Sequence, residues 1–234
     1  MALLGRGRYE EAEEMSRRAL EGRERVLGNE HLDTLDSIDN LAVILRVQEK
    51  YEEAEEMTRR MLEGREIVLG REHPDTLENI DDLALLLKYQ RKYKEAEEMS
   101  RRALEGRESV LGEEHPDTLT SVSNLALVLM DVGKRKEARR MSRRALEGRE
   151  KLLGKEHQDT LRSVLDLALL YVQCSRYEAA AELFERACDA FQRRLGTNHP
   201  ATVDCRYCFS AMLQKIDESK KSVPSPLQQA VLIV

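Results

Sequence analysis

The chain has 234 residues, 41% apolar and 35% charged, with no Trp and a formal net charge of −6. That balance gives no global footprint for nucleic acid or an anionic membrane, and no apolar run approaches the ~20 residues of a membrane span. Four cysteines, all in the last third, do not form a secreted disulfide framework, and Met1-Ala2-Leu3-Leu4 is too short for a signal peptide, so a reducing, cytoplasmic setting is expected.

One period governs the chain. His31, His73, His115, His157 and His199 stand 42 residues apart, as do Gly28, Gly70, Gly112, Gly154 and Gly196. A fixed period between about 20 and 50 residues marks a repeat architecture. Such a chain needs few large aromatic residues, because each unit packs mainly on its neighbours.

In chain order, residues 1–30 form a truncated first repeat. Residues 1–8 align with the last turn of a first helix, and 9–27 read as a second helix without its partner. The apolar face left open leads us to expect a fragment of a longer protein, with self-association through that face as the alternative. Four full units fill 31–198, at 31–72, 73–114, 115–156 and 157–198. Within 73–114, Leu77, Ile80, Leu83, Ala84 and Leu87 predict a helix over 74–89 with one apolar face. His73-Pro74-Asp75 suits its start. After Gln90-Arg91-Lys92, a second helix is expected over 93–110. Tyr93, Ala96, Met99, Ala103 and Val110 would form its buried stripe, with Leu104 at the edge and Gly112 as a left-handed C-cap. Glu97–Arg101 and Glu98–Arg102 are i,i+4 pairs in the favourable order. Gly106, like Gly22, Gly64 and Gly148, lies inside a helix, either for close helix approach or for a bend.

The third unit is basic. Residues 134–151 carry nine basic side chains against three acidic ones. Lys134, Arg135, Lys136, Arg139, Arg140 and Arg143 are a candidate docking patch for an acidic partner; a solvated helix face is the plainer reading. Nucleic acid is disfavoured, because no aromatic residues interleave the basic ones. The fourth unit has larger apolar residues, including Phe184 and Phe191. Residues 199–216 read as a terminal capping helix, with Arg206 where earlier units have Ile or Val. Residues 217–234, with Pro224 and Pro226, read as a flexible tail ending in an apolar stretch.

Catalytic, cofactor and metal sites are not expected. One His per unit places successive imidazoles at least a helix spacing of ~8–10 Å apart, too far for one zinc ion. They read as capping and packing residues. Cys205 and Cys208 form a CxxC with no second pair to complete a site, and Cys188 stands where other units have Leu, as a small hydrophobe. Gly5-Arg6-Gly7 lacks the rest of a phosphate loop.

Leu83-Ala84, followed by a large residue three positions on and then by Tyr93, Ala96 and Ala103, resembles the tetratricopeptide pattern. The 42-residue unit resembles the kinesin light chain type, and the repeated EEAEEMSRRALEGRE wording is similar to repeat regions of fungal NLR-like (STAND) proteins. The resemblance covers residues 3–215. It implies an all-α fold, a right-handed α-solenoid of stacked antiparallel helix pairs, and a non-catalytic scaffold binding a protein or peptide in a groove lined by first helices. By the same resemblance, the groove residues are Asp36, Asp39, Asn40, Glu78, Asp81, Asp82, Lys88, Asn124, Leu127, Leu165, Asp166 and Leu169. Asn40 and Asn124 match asparagines that hold a peptide backbone, a role an amide fills by donating and accepting. The acidic first half implies a ligand with basic residues there, and an apolar residue facing Leu127, Leu165 and Leu169. The oligomeric state is left open.

Overall fold

A computed structural model describes residues 8–222, with side chains for all of these except 215 and 217–222. Among the described residues there are ten α-helices and no strand. They are α1 Tyr9–Leu27, α2 Leu32–Val47, α3 Tyr51–Val68, α4 Pro74–Tyr89, α5 Tyr93–Leu111, α6 Pro116–Val132, α7 Arg135–Leu153, α8 Gln158–Gln173, α9 Tyr177–Leu195 and α10 Pro200–Ser222. None is long and apolar enough to cross a membrane. The chain divides into two compact units, residues 1–141 and 142–234, with the division inside α7. The fold class is all-α, an α-solenoid of helix pairs.

Each first helix starts the same way. The Nδ1 of His73 accepts from the Asp75 N–H at 3.2 Å, and His31, His115, His157 and His199 do the same two residues on. Imidazole thereby takes the N-cap place usually held by Ser, Thr, Asp or Asn. Pro74 follows at a position whose N–H has no helical partner. The Thr76 hydroxyl then donates to the Gly70 carbonyl at 2.9 Å and ties the helix to the loop before it. Among the described residues no group of three His, Cys, Asp or Glu side chains could hold a metal ion.

The helix ends hold one correction. Gly112 has φ 88° and ψ 163°, so it is an extended, glycine-only conformation and not the expected left-handed helical cap. The left-handed helical residue lies at the other turn. Gly133 occupies it with φ 88° and ψ 5°, while the equivalent Glu49, Arg91 and Ser175 are held at φ 61°, 62° and 56°. A side chain costs roughly 1–2 kcal/mol in that region. Arg91→Gly is therefore expected to stabilise the protein by about 1 kcal/mol, after the extra chain entropy glycine loses on folding. An unchanged urea midpoint would count against this.

In the first unit, Leu77, Ile80, Leu83 and Leu87 of α4 are buried with Ala96 and Ala103 of α5, Leu62 of α3 and Val128 of α6. The choice left open for Gly106 is resolved as close approach. A Cβ there would lie 2.4 Å from Leu77 Cδ2, and one at Gly64 would lie 2.5 Å from Leu35 Cδ2. Leu104, expected at the edge, is buried, whereas Val110, expected inside, is 44% exposed. The reason is length: Gly106 already meets Leu77 in the first turn of α4, so Val110 has passed the end of that helix.

Charged residues join successive second helices. Lys50, Lys92 and Lys134 reach Glu13, Glu55 and Glu97 of the preceding repeat at 2.7, 2.6 and 2.6 Å. Arg17, Arg59 and Arg101 pair forward with Glu53, Glu95 and Glu137 at 2.6, 3.0 and 2.9 Å. Burial raises the Glu97 pKa, but Lys134 and Arg101 outweigh it and hold the carboxyl below its ordinary value. The Glu97–Arg101 pair forms as expected; Arg102 turns instead to Glu66 of the preceding repeat.

In the second unit, α8, α9 and α10 enclose Val164, Ala168, Phe184 and Phe191. Phe184 stacks on Phe209 of α10 at 5.7 Å between ring centroids. Cys188 and Cys205 are joined by a disulfide, with Cα atoms 5.8 Å apart. This corrects the reading of Cys188 as a small hydrophobe, since it is one half of the bridge; of the CxxC pair, Cys205 faces α9, whereas Cys208 is half-buried and unpaired. Helix α10 continues to Ser222, beyond the expected end of the capping helix at 216. The rest of the expected tail, 223–234, lies outside the described residues, as does the expected helix turn at 1–7.

Candidate binding face of the first helices

The first helices of the first unit lie side by side. Leu86 of α4 joins Leu41 and Leu45 of α2 in one cluster, and Val128 of α6 joins Ile80 and Leu83 of α4 in another. Side chains of α2, α4 and α6 that turn away from the second helices therefore share a face. Asp36, Asp39, Asn40, Glu78, Asp82, Lys88, Asn124 and Leu127 reach it.

Asp81 does not. Its side chain is 5% exposed, and its Oδ2 accepts from Arg107 Nη1 at 2.7 Å and from Ser121 Oγ at 2.5 Å. Burial pushes the Asp81 carboxyl up, and Ser121 and Arg107 oppose that push. The sequence reading missed this partner, although a signal was present: Arg23, Arg65, Arg107 and Arg149 repeat every 42 residues beside the helix glycines. Arg65, Arg107 and Arg149 are all buried. Each reaches a polar side chain at one position of the next first helix, Asn79, Ser121 or Ser163. They fasten repeat to repeat from inside.

Other expected ligand groups are also engaged within the chain. Asp36 accepts from Arg65 Nη2 at 3.0 Å. The Asn40 amide donates to the Asp36 carbonyl at 2.8 Å, and Asn124 hydrogen-bonds Asp81. Lys88 pairs with Asp131 at 3.2 Å and lies 5.4 Å from the centroid of the Tyr89 ring, which itself stacks on Tyr51. Asp39, Glu78 and Asp82 are different: no side-chain hydrogen bond engages them among the described residues, and they lie near one another. The Asp82 pKa is pushed up to about 6, first by partial withdrawal from water on this face and then by Asp39 and Glu78, with Arg46 opposing. The Asp39 pKa is also raised, by burial first, with Arg65 and Arg46 opposing and Asp36 adding to the rise.

In the second unit, Leu165 and Asp166 of α8 are half-buried and Leu169 is exposed. Burial raises the Asp166 pKa, against Arg162 and Arg149. Of the basic residues, Lys134 is engaged by Glu97, and Arg140 lies 3.8 Å from Glu137. Arg135 and Lys136 are exposed and Arg139 is half-buried. Arg143, in the second unit, donates to the Tyr171 hydroxyl at 2.6 Å.

Comparison with known proteins follows the same lines. A family profile described as tetratricopeptide repeat matches residues 1–67, 37–109, 76–151 and 117–193. The crystal structure of a single-substitution variant of a Podosopora anserina protein, provisionally assigned as a kinesin light chain with nearly identical TPR-like repeats, is similar at 26% identity. It has a TM-score of 0.72 over 82% of this chain and 91% of that one. BtubC (BKLC) from P. vanneervenii shares the fold at 20% identity, with a TM-score of 0.69 over 93% of this chain and 94% of the other. A Rap protein complexed with competence and sporulation factor shares it at 15% identity, with a TM-score of 0.66 over 91% and 62%. No curated protein matches the chain.

Proposed function

The chain belongs to the tetratricopeptide repeat family, and on that premise we propose that it is a non-catalytic, cytoplasmic protein–protein interaction scaffold. Its α2–α4 face takes a cationic segment of a partner protein. The observation that carries this reading is the set of neighbouring carboxylates, Asp39, Glu78 and Asp82, which no hydrogen bond among the described residues consumes. A lysine or arginine placed among them would relieve their mutual repulsion, which gives the face a preference for positive charge. The Rap protein in complex with its factor supports partner binding on this fold.

The sign of the pH dependence follows. Asp82 gains its charge as pH rises through about 6, so affinity for a cationic segment rises across that point and falls below it. Without ligand the same raised pKa acts against the fold, so the Asp82 contribution to stability is lost as pH rises through about 6. The test is capture of partners by the wild-type chain and by an Asp39→Asn, Asp82→Asn variant, followed by titration calorimetry on the partner identified. Affinity should drop about tenfold or more, ~1.4 kcal/mol. Equal capture of the same partners at both ends of the pH range would remove the reading.

Within that function, a cargo adaptor of the kinesin light chain type is supported by the 42-residue unit and by the Podosopora anserina structure. A sensing repeat region of an NLR-like receptor is supported by the near-identity of the EEAEEMSRRALEGRE blocks.

A further inference from the structure

The buried arginines that fasten repeat to repeat all use one position of the next first helix. Arg65 reaches Asn79, Arg107 reaches Ser121 and Arg149 reaches Ser163. Between α9 and α10 the chemistry changes. Counting by 42, Phe191 stands where those arginines stand, and Cys205 takes the place of Asn79, Ser121 and Ser163. Cys205 is joined instead to Cys188, which lies one helical turn before Phe191 where earlier units carry Leu62, Leu104 and Leu146. At this junction a covalent bond that thiols can open takes over from a hydrogen bond.

The bridge itself is closed to solvent. Cys188 is 8% exposed and Cys205 1%, so a dissolved thiol does not reach either sulfur while α9 and α10 stay packed. Cys208 is different. It is unpaired and half-buried, three residues from Cys205 on α10. Side chains at that spacing share a helix face, with Cβ atoms roughly 5–6 Å apart. The surface access of Cys208 belongs to its place in the repeat and not to the place of α10 in the chain. Asn40, Asp82, Asn124 and Asp166 hold the same position in α2, α4, α6 and α8, and each reaches the surface although further helices follow. Cys208 therefore has the bridge on one side and solvent on the other.

We infer that Cys208 is a modification site for small thiols and disulfides of the glutathione class, and the thiol through which the buried bridge closes and opens. Closure starts from three free thiols. Cys208 gives its proton to solvent and attacks one sulfur of the small disulfide; a small thiolate leaves and is protonated. Cys205 then attacks the Cys208 sulfur of this mixed disulfide, and the second small thiol leaves. Finally Cys188 attacks Cys205, and Cys208 departs as a free thiol. The protein loses two electrons and two protons to the small disulfide, which becomes two thiols. Opening runs the same steps backwards, with Cys208 attacking Cys205 first. The α9–α10 junction thereby follows the thiol poise of its surroundings although its bridge is buried.

The experiment uses the full chain in a Cys174→Ser background, which removes the other free cysteine. Reduction by millimolar glutathione is followed by alkylation of free thiols and mass spectrometry. It should be slower by about tenfold or more for Cys208→Ser, because an attacking thiol one helical turn away acts at an effective concentration far above that of the solution. Oxidation by glutathione disulfide should slow alike, while the glutathione ratio at which half the chains carry the bridge stays put. The direction separates a relay from a brace: a change that merely loosened α10 would uncover the bridge and speed its reduction. Two further variants catch the intermediates. With glutathione disulfide, Cys205→Ser should hold one glutathione on Cys208, and Cys188→Ala should form the Cys205–Cys208 bond. Reduction of Cys208→Ser at or above the wild-type rate would overturn the proposal. So would a first adduct on Cys188 or Cys205, absence of the Cys205–Cys208 bond in Cys188→Ala, or no bridge in the wild-type chain under excess glutathione disulfide. None of these changes touches Asp39, Glu78 or Asp82, so the result stands apart from that of the cation-binding face.

Discussion

Asp81→Ala should destabilise the first unit by about 3–5 kcal/mol, the cost of leaving a buried charge without its partner. The Arg107 side chain is 7% exposed, and Asp81 is the carboxylate it reaches, at 2.7 Å. Without it, Arg107 retains only the neutral Ser121 hydroxyl and the Asp117 carbonyl. Replacing both members with leucine should cost much less than the sum of the two single changes, because the pair takes two groups out of water to gain one attraction. Urea unfolding followed by circular dichroism measures all three variants. A loss below about 1 kcal/mol for Asp81→Ala would show that water reaches Arg107 and that the interior fastening is weak. The result also governs any dissection of the binding face: a loss of partner on changing Asp81 would report unfolding, which is why Asp39 and Asp82 are the positions to test.

Reduction of the Cys188–Cys205 disulfide should remove about 3 kcal/mol from the second unit, as expected for a cross-link closing a loop of this length. Cys205→Ser should do the same without reductant. The loss should concentrate in α10, which is otherwise held by the Phe184–Phe209 stack, the Thr202 bond to the Gly196 carbonyl and the contacts of Met212. Amide exchange is the suitable readout, because a repeat array opens locally from its ends. Protection in α10 should fall on reduction by about two orders of magnitude, the equivalent of that energy. Equal protection in oxidised and reduced protein would mean that packing alone secures the helix.

The helices were legible because their signals are local and repeated. Leu77, Ile80, Leu83, Ala84 and Leu87 fix one face of α4, and its limits at Pro74 and Tyr89 were read from a proline and a polar break. The face of the first helices was legible only in part. Residues 36, 39, 78 and 82 reach it, but the period alone could not show that Asp81 turns inward, since that depends on a buried arginine one helix away. Val110 was misplaced for a related reason: helix periodicity gives the direction of a side chain and not where the covering helix stops. The disulfide was missed because Cys188 and Cys205 lie on different helices, and only the packing of α9 against α10 brings them together.

The ladders that join the second helices have a further consequence. Lys50 meets Glu13 as Lys92 meets Glu55 and Lys134 meets Glu97, so the surfaces at successive junctions are interchangeable. Loss of a 42-residue block by recombination would bring Arg59 opposite Glu137 in place of Glu95, with the same chemistry on both sides of the seam. A gene encoding such a chain can therefore lengthen or shorten by whole units and still specify a protein that closes its junctions. Copy number becomes a heritable variable that selection can adjust without redesigning any interface.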